Sequence, residues 1–403
     1  MNRGCPPTVD SVALLPAVHV DATVSCVVHP LTSPVDLVVV GAGILGLAHA
    51  VAAAERGLSV LVLERDQRPV GASVRNFGHL CLTAQSGRAL QYAESSRPVW
   101  LSLGAQAGFA VEQSGTVVVA RSALEMAVLE DFRDARSSEE VELLTADATH
   151  RHVPALDADA VGGALLPRDL RVDPRQVPGA LVDWLSGRGV QFRFGLQVSS
   201  ASSGEVTTPE GVVRARYVVV CVGHDVDRLF PALARDEGLT RCRLEMLQVR
   251  PARPVTIRPA ILTGLSMLRY PGIAASPQIG NLRRQIDERT PELLAVDMNL
   301  MLTQRPDGDL AIGDTHAYAV THDPFIDDRV SALVLGQARR LLGGLDLTVT
   351  RRWQGVYASS TAGDFLDHEI APDVRVVSVT TGIGMTTSHG LAAAVVQSMV
   401  SAS

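Results

Sequence analysis

Hydrophobic positions fall into short unbroken runs near the start of the chain and into alternation further on. Residues 36–40 form a Val-rich run of the kind that makes buried parallel strands. Residues 41–46 read as a turn, 44–56 as an Ala-rich helix stopped at Gly57, and 59–64 as a second strand. Together they make a βαβ unit. A loop over 66–90 follows, then helical patterns at 87–104 and 123–132 with a strand at 116–120 between them. Residues 175–187 predict a helix entered through Asp173 as N-cap and Pro174 in the first turn. Strands are expected at 190–194 and 197–200, a small hairpin at 206–208 and 212–215, and an apolar strand at 216–222 ending at Gly223. From about 240 to 310 the pattern turns to short alternating stretches such as 243–250 and 294–303, which predict an antiparallel sheet. A helix at 330–342, a strand at 375–380, a Gly-rich loop at 381–390 and a helix to about 400 complete the series.

The parallel-type pieces stand at the start, in the middle and at the end, with the antiparallel material between them. The expected fold is therefore α/β, a discontinuous Rossmann-like domain carrying an inserted α+β domain built on an antiparallel sheet. The nucleotide domain is drawn over 35–84, 165–238 and 345–403, and the inserted substrate domain over 85–164 and 239–344. Residues 1–34 read as a flexible extension.

Composition removes several functions. The 403 residues carry a net charge of −7 and only 4% aromatics, which argues against a nucleic-acid surface. The sequence has no Lys, so a Schiff base to pyridoxal phosphate and a Walker-type phosphate-binding Lys are both excluded. Five scattered cysteines have no zinc or redox spacing and predict no disulfide framework, so a reducing cytoplasm is the expected compartment. No apolar run reaches the roughly 18 residues of a membrane span. No metal site is expected.

Gly41-Ala42-Gly43-Ile44-Leu45-Gly46 follows a strand and opens a helix, the context that the dinucleotide fingerprint needs. The first Gly allows the tight turn, the second lets backbone approach a pyrophosphate, and the third permits close packing of helix on strand. Glu64 ends the second strand where a ribose diol is usually held, with Arg65 beside it, and its charge disfavours a 2′-phosphate. Two further segments favour FAD over NAD. Gly71-Ala72-Ser73-Val74-Arg75-Asn76-Phe77-Gly78 suits a loop wrapped around an extended cofactor. Thr381-Gly382-Ile383-Gly384-Met385-Thr386-Thr387-Ser388-His389-Gly390 is a second Gly-rich junction of strand and helix, whose helix N-terminus can stabilise the negative charge of reduced flavin.

From residue 36 to its end the chain resembles the FAD-dependent amine and amino-acid oxidoreductases of the D-amino acid oxidase superfamily, with glycine oxidase and sarcosine oxidase as relatives. The resemblance lies in residues 36–65, Val172-Asp173-Pro174-Arg175, and residues 189–198, 217–223 and 382–390. Ala72–Gly78 and the stretch Arg352-Trp353-Gln354-Gly355-Val356-Tyr357-Ala358-Ser359 resemble a narrower branch associated with 2-aminoethylphosphonate degradation. The resemblance implies that Val198 meets the adenine, and that Cys221 and Gly223 lie near ribose and pyrophosphate. It places Ser73, Asn76, Phe77 and Gly78 along pyrophosphate and flavin, and Gly384, Met385 and Thr386 at the pyrimidine side. No cysteine lies in a segment that matches a covalent flavin site, so the FAD is expected to be non-covalent.

The implied reaction is flavin-dependent oxidation of a small primary or secondary amine bearing an anionic group, a 2-aminoethylphosphonate-type compound or an amino acid, to an imine, which hydrolyses to a carbonyl product. Electrons then pass to oxygen or another acceptor. With no Lys, an anionic substrate group must be held by Arg. Arg269 and Tyr270, expected on a strand of the inserted domain, are the candidate clamp; a surface Arg on an alternating strand is the competing reading. Arg283 and Arg284 are a second pair, read as solvated. His79 follows the Asn76–Gly78 loop and is a candidate at the flavin face, or a structural residue. His224 is a further candidate, His316 and His322 read as loop residues, and Tyr357 as pocket lining or plain packing. The alternatives in function are an FAD monooxygenase and a non-catalytic flavin-binding protein.

Overall fold

A computed structural model describes residues 33–401. The expectation for residues 1–34 lies, apart from Ser33 and Pro34, outside the described residues. Val35–Val40 stands at the centre of the first sheet, parallel to Val60–Glu64 on one side and to Gly211–Val220 on the other. Gln191–Phe194 and Val374–Val379 continue the parallel sheet outward. Phe365–Ala371 closes one edge antiparallel, and Ser200–Ser202 with Glu205–Thr208 extends from the first half of Gly211–Val220. Both faces are covered: Leu37 and Val39 enter one buried cluster, Val38 and Val40 the opposite one. This is why the sequence reads as an unbroken apolar run.

Helix Ile44–Ala54 is buried along nearly its whole length. It lies among the first sheet, helix Val177–Ser186 and the last helix, Gly384–Ser401. Gly46 sets how closely it sits: a Cβ there would stand 1.9 Å from the Gly41 carbonyl oxygen.

The second sheet runs in the order Ala317–Ala319, Thr240–Pro251, Leu310–Gly313, Met301–Gln304, Ala260–Leu262, Thr116–Ala120, Gly162–Leu166, Glu142–Thr145. Leu347–Ser359 also pairs along Thr240–Pro251. All pairings are antiparallel except that of Ala260–Leu262 with Thr116–Ala120. The fold is thus the expected mixture of a Rossmann-like parallel sheet and a largely antiparallel one.

Several boundaries move. Leu347–Ser359 belongs to the second sheet, so the return to the first layer comes after it and not at 345. Helix Gly87–Ala107, drawn with the inserted part, buries Ala93, Trp100 and Leu103 in the first layer's core against the last helix. Helix Val177–Ser186 starts after Gln176, with Pro178 in its first turn. Asp173 instead forms a tight turn before it, accepting from Arg175 N through Oδ1 and from Gln176 N through its carbonyl. The strand expected at 197–200 lies at Ser200–Ser202. Of residues 294–303 only 301–303 are strand, because Pro291 starts the short helix Pro291–Ala295 and the strand begins at Met301. Among the described residues no helix is long and apolar enough to cross a membrane.

Candidate active site

A cavity of about 680 Å³ opens at the carboxyl ends of the parallel strands and runs on beneath the second sheet. Val40, Glu64, Cys221 and Val379 line its first part, the position where open α/β sheets bind ligands. Leu244, Met301, Gly355 and Tyr357 line the other part.

The glycine turn has the geometry that its sequence predicts. Gly41 has φ +104, and a Cβ on it would stand 2.5 Å from the Cys221 carbonyl oxygen. Gly43, Ile44 and Leu45 line the cavity, whereas Gly46 faces away and acts through packing. Ala42 N donates to Glu64 Oε2 (2.8 Å), and Asp66 N donates to Glu64 Oε1 (3.0 Å). The carboxylate is thereby fixed at the strand end. Arg65 pairs with Asp225 at 2.7 Å. Ser73, on the loop over the turn, accepts from Ile44 N at 2.8 Å and so ties that loop to the helix start.

Asn76 lines the cavity, but its polar atoms are spent inside its own loop. Nδ2 donates to the Ala72 and Ser73 carbonyls, and Oδ1 accepts from Gly78 N. It is a brace for the loop. Gly78 faces Val172 behind the loop and does not line the cavity, unlike Phe77. Val198, Cys221 and Gly223 line the end nearest Glu64, and burial pushes the Cys221 thiol up. Gly384, Met385 and Thr386, the first turn of the last helix, line it from the side of the C-terminal loop. Thr386 Oγ1 accepts from Cys81 N, and the Met385 carbonyl accepts from Trp100 Nε1.

The residues fit FAD. A helix N-terminus with close-approach glycines faces one end, a fixed carboxylate stands beside it, and a second helix N-terminus closes the far end. Thr381 Oγ1 is buried in the lining without a partner, as expected of a hydroxyl that meets a polar ligand.

The four candidates for chemistry all line the cavity. Arg269 and Tyr270 do not stand on a strand. They form the link between the short helices Gly264–Met267 and Pro271–Ala274, because Pro271 starts the second. Arg269 Nη2 donates to the Tyr357 hydroxyl at 2.9 Å, and Nη1 approaches the Tyr318 hydroxyl and Asp297 Oδ2, each at 3.4 Å. Burial works against the Arg269 charge, but the Tyr357 and Tyr318 hydroxyls and Asp314 outweigh it and hold its pKa above the usual range. Burial also pushes the Tyr357 and Tyr270 phenols up. His79 Nε2 lies 2.7 Å from Thr116 Oγ1, which donates to the buried Asp169. His79 Nδ1 is left without a partner.

His224 lines the same cavity, and burial lowers its pKa against the pull of Asp225. His322 contacts the Arg241 carbonyl, outside the lining. Arg283 is exposed but borders the cavity, and Arg284 does not.

Sequence reasoning missed Asp297, Asn299, Asp314 and Tyr318, and read His316 as a loop residue. All five line the cavity. Asn299 Nδ2 donates to Asp314 Oδ1 at 3.0 Å, and His316 Nδ1 lies 2.8 Å from the Asp297 carbonyl. A signal was present. Asp314, His316 and Tyr318 alternate directly after an apolar strand, and such a period-two polar set marks one face of an extended segment.

Residues 36–398 match the family described as DAO, FAD dependent oxidoreductase. An opine oxidase chain from Rhizobium meliloti is 24% identical over 381 residues, covering 89% of this chain and 91% of that protein. L-proline dehydrogenase from P. horikoshii superposes with a TM-score of 0.76 at 17% identity, over 92% of this chain and 95% of that one. Glycine oxidase from Bacillus cereus superposes with a TM-score of 0.74 at 18% identity, over 92% of this chain and 96% of that one.

Proposed function

Because the chain belongs to the family of FAD-dependent oxidoreductases that act on amines and amino acids, we propose that its own substrate is a small amine bearing an anionic group, with 2-aminoethylphosphonate-type compounds or amino acids favoured. The observation that carries this reading is Arg269. Its guanidinium stands in the cavity, held by Tyr357 and Tyr318, and the Tyr357 ring lies against the Gly382 turn that leads into the last helix. A planar guanidinium grips carboxylate or phosphonate through two N–H groups at once. Tyr357 thus ties the anion grip to the part of the cavity where the flavin ring is to sit.

Flavin, when bound, accepts the hydride equivalent from the carbon bearing the nitrogen. The protein's part is to orient that carbon and keep water away. Arg269 anchors the far end of the substrate, while the apolar lining from Leu244, Met301 and Val356 excludes water. Among the described residues Cys81, Cys221 and Cys242 are buried free thiols, which fits the proposed cytoplasmic location.

The test is a panel of amines, amino acids and aminophosphonates, followed as flavin bleaching without oxygen. The expected result is rapid bleaching by amines that carry a phosphonate or carboxylate, lost in Arg269→Ala. Equal bleaching by amines without an anionic group, unaffected by that substitution, would overturn the reading.

A further inference from the structure

Close to Arg269, Asn299, Asp314 and His316 stand side by side in the cavity lining, and each keeps one acceptor atom that no donor of the other two reaches. Asn299 is 3% exposed; its Nδ2 is used on Asp314 Oδ1, and its Oδ1 is buried with no partner. Asp314 is 5% exposed, and its Oδ2 lies 3.6 Å from His316 Nε2, beyond hydrogen-bond reach. The tautomer of His316 follows from its other nitrogen. Nδ1 lies 2.8 Å from the Asp297 carbonyl, which can only accept, so Nδ1 carries the proton. In neutral His316, Nε2 is then a bare lone pair facing a carboxylate oxygen. Burial favours that neutral form.

Amide oxygen, carboxylate oxygen and imidazole nitrogen together want one thing, a cation with several N–H donors. An unpaired buried acceptor is destabilising, and a facing pair of lone pairs adds repulsion, so the arrangement calls for a donor between them. A purely anionic ligand would meet Asp314 as a like charge. A ligand with an ammonium at one end and an anion at the other satisfies both the trio and Arg269.

We propose that Asn299, Asp314 and His316 form the amine-binding end of the substrate pocket, receiving the substrate ammonium while Arg269 holds the anion. This rests on the reading of the cavity as an amine-oxidation site and adds the second point of attachment. Two attachments select for the spacing between nitrogen and anion. They also orient the carbon between them. A monoamine without an anion would keep the trio and lose the clamp.

Three probes separate the two ends: ethylamine for the trio alone, ethylphosphonate for Arg269 alone, and 2-aminoethylphosphonate for both. Each is titrated into FAD-loaded protein while perturbation of the flavin absorbance is followed, so the readout is binding and not turnover. Asp314→Asn and Asn299→Ala should weaken ethylamine and 2-aminoethylphosphonate by about 10- to 100-fold, the range for hydrogen bonds to charged groups. Ethylphosphonate should bind Asp314→Asn as well as wild type or more tightly, since a like charge is removed. FAD content and thermal midpoint report whether each variant is folded, and Asn299→Ser serves if the alanine variant is not. Unchanged binding of both amines in folded variants overturns the proposal, and so does an equal loss for all three probes. If wild type fails to bind ethylphosphonate while the ethylamine effects hold, the anion clamp falls and the amine end stands.

Discussion

Arg269 donates a 2.9 Å hydrogen bond to the hydroxyl of Tyr357, a residue that lies 88 positions further along the chain and lines the same cavity. The bond joins the link between two short helices to the longest strand of the second sheet.

Removing only that hydroxyl gives the first prediction. Tyr357→Phe should weaken an anionic ligand by about 3- to 10-fold, because Arg269 keeps Tyr318 and Asp297 as partners. Arg269→Ala should cost more. Ethylphosphonate titrations of the two variants provide the comparison, and a larger loss in Tyr357→Phe would contradict the assigned roles.

Gly382 supplies the second. It has φ +78, and a Cβ there would stand 2.9 Å from Tyr357 Cζ. Gly382→Ala should lower stability by about 1–2 kcal/mol through the left-handed backbone alone, and should loosen FAD by displacing the Tyr357 ring. Urea unfolding and recovery of free-flavin fluorescence measure the two effects separately.

The third concerns Glu64, whose two oxygens accept from Ala42 N and Asp66 N. Glu64→Gln replaces one acceptor with a donor facing an N–H. The FAD dissociation constant should rise on the order of tenfold with the fold intact. Equilibrium titration of apoprotein with FAD gives the answer, and an unchanged constant would remove Glu64 from the cofactor site.

The fourth is a pH effect on stability. Burial pushes His49 down to about 4 and, with repulsion from His49, His389 down to about 3. Both have a folded pKa below the unfolded value of 6.5, so the unfolded chain takes up protons first as pH falls. The stability is fully present above 6.5 and is lost toward 4 and 3. Each residue should cost on the order of 2 kcal/mol at pH 5. Urea midpoints at pH 7.5 and 5 should therefore differ, and His389→Asn should flatten the difference. An identical pH slope in that variant would contradict the assignment.

The parallel layer was legible because its signals are local. The run at Val35–Val40, the glycine triplet and Glu64 each follow from a few adjacent residues. The substrate end was less legible because its geometry is set by short helices and by contacts between distant segments. Alternation around Arg269 predicts a strand, while Pro271 in fact starts a helix there. Asn299 shows nothing in isolation. It becomes informative only when the pairing of Met301–Gln304 with Leu310–Gly313 brings it to a hydrogen bond with Asp314. Asn76 failed in the other direction, since its side chain fits a cofactor contact but is used up within its own loop.

The interleaving of the parallel sheet also dictates when this protein can be finished during synthesis. Val35–Val40 leaves the ribosome well before its neighbour Gly211–Val220, and that strand's other partner, Val374–Val379, emerges later still. The helix Gly384–Ser401, which packs on helix Ile44–Ala54, follows it. The nascent chain must therefore carry an uncovered Val-rich strand and an apolar helix until those later segments emerge, the kind of surface that aggregates or engages chaperones.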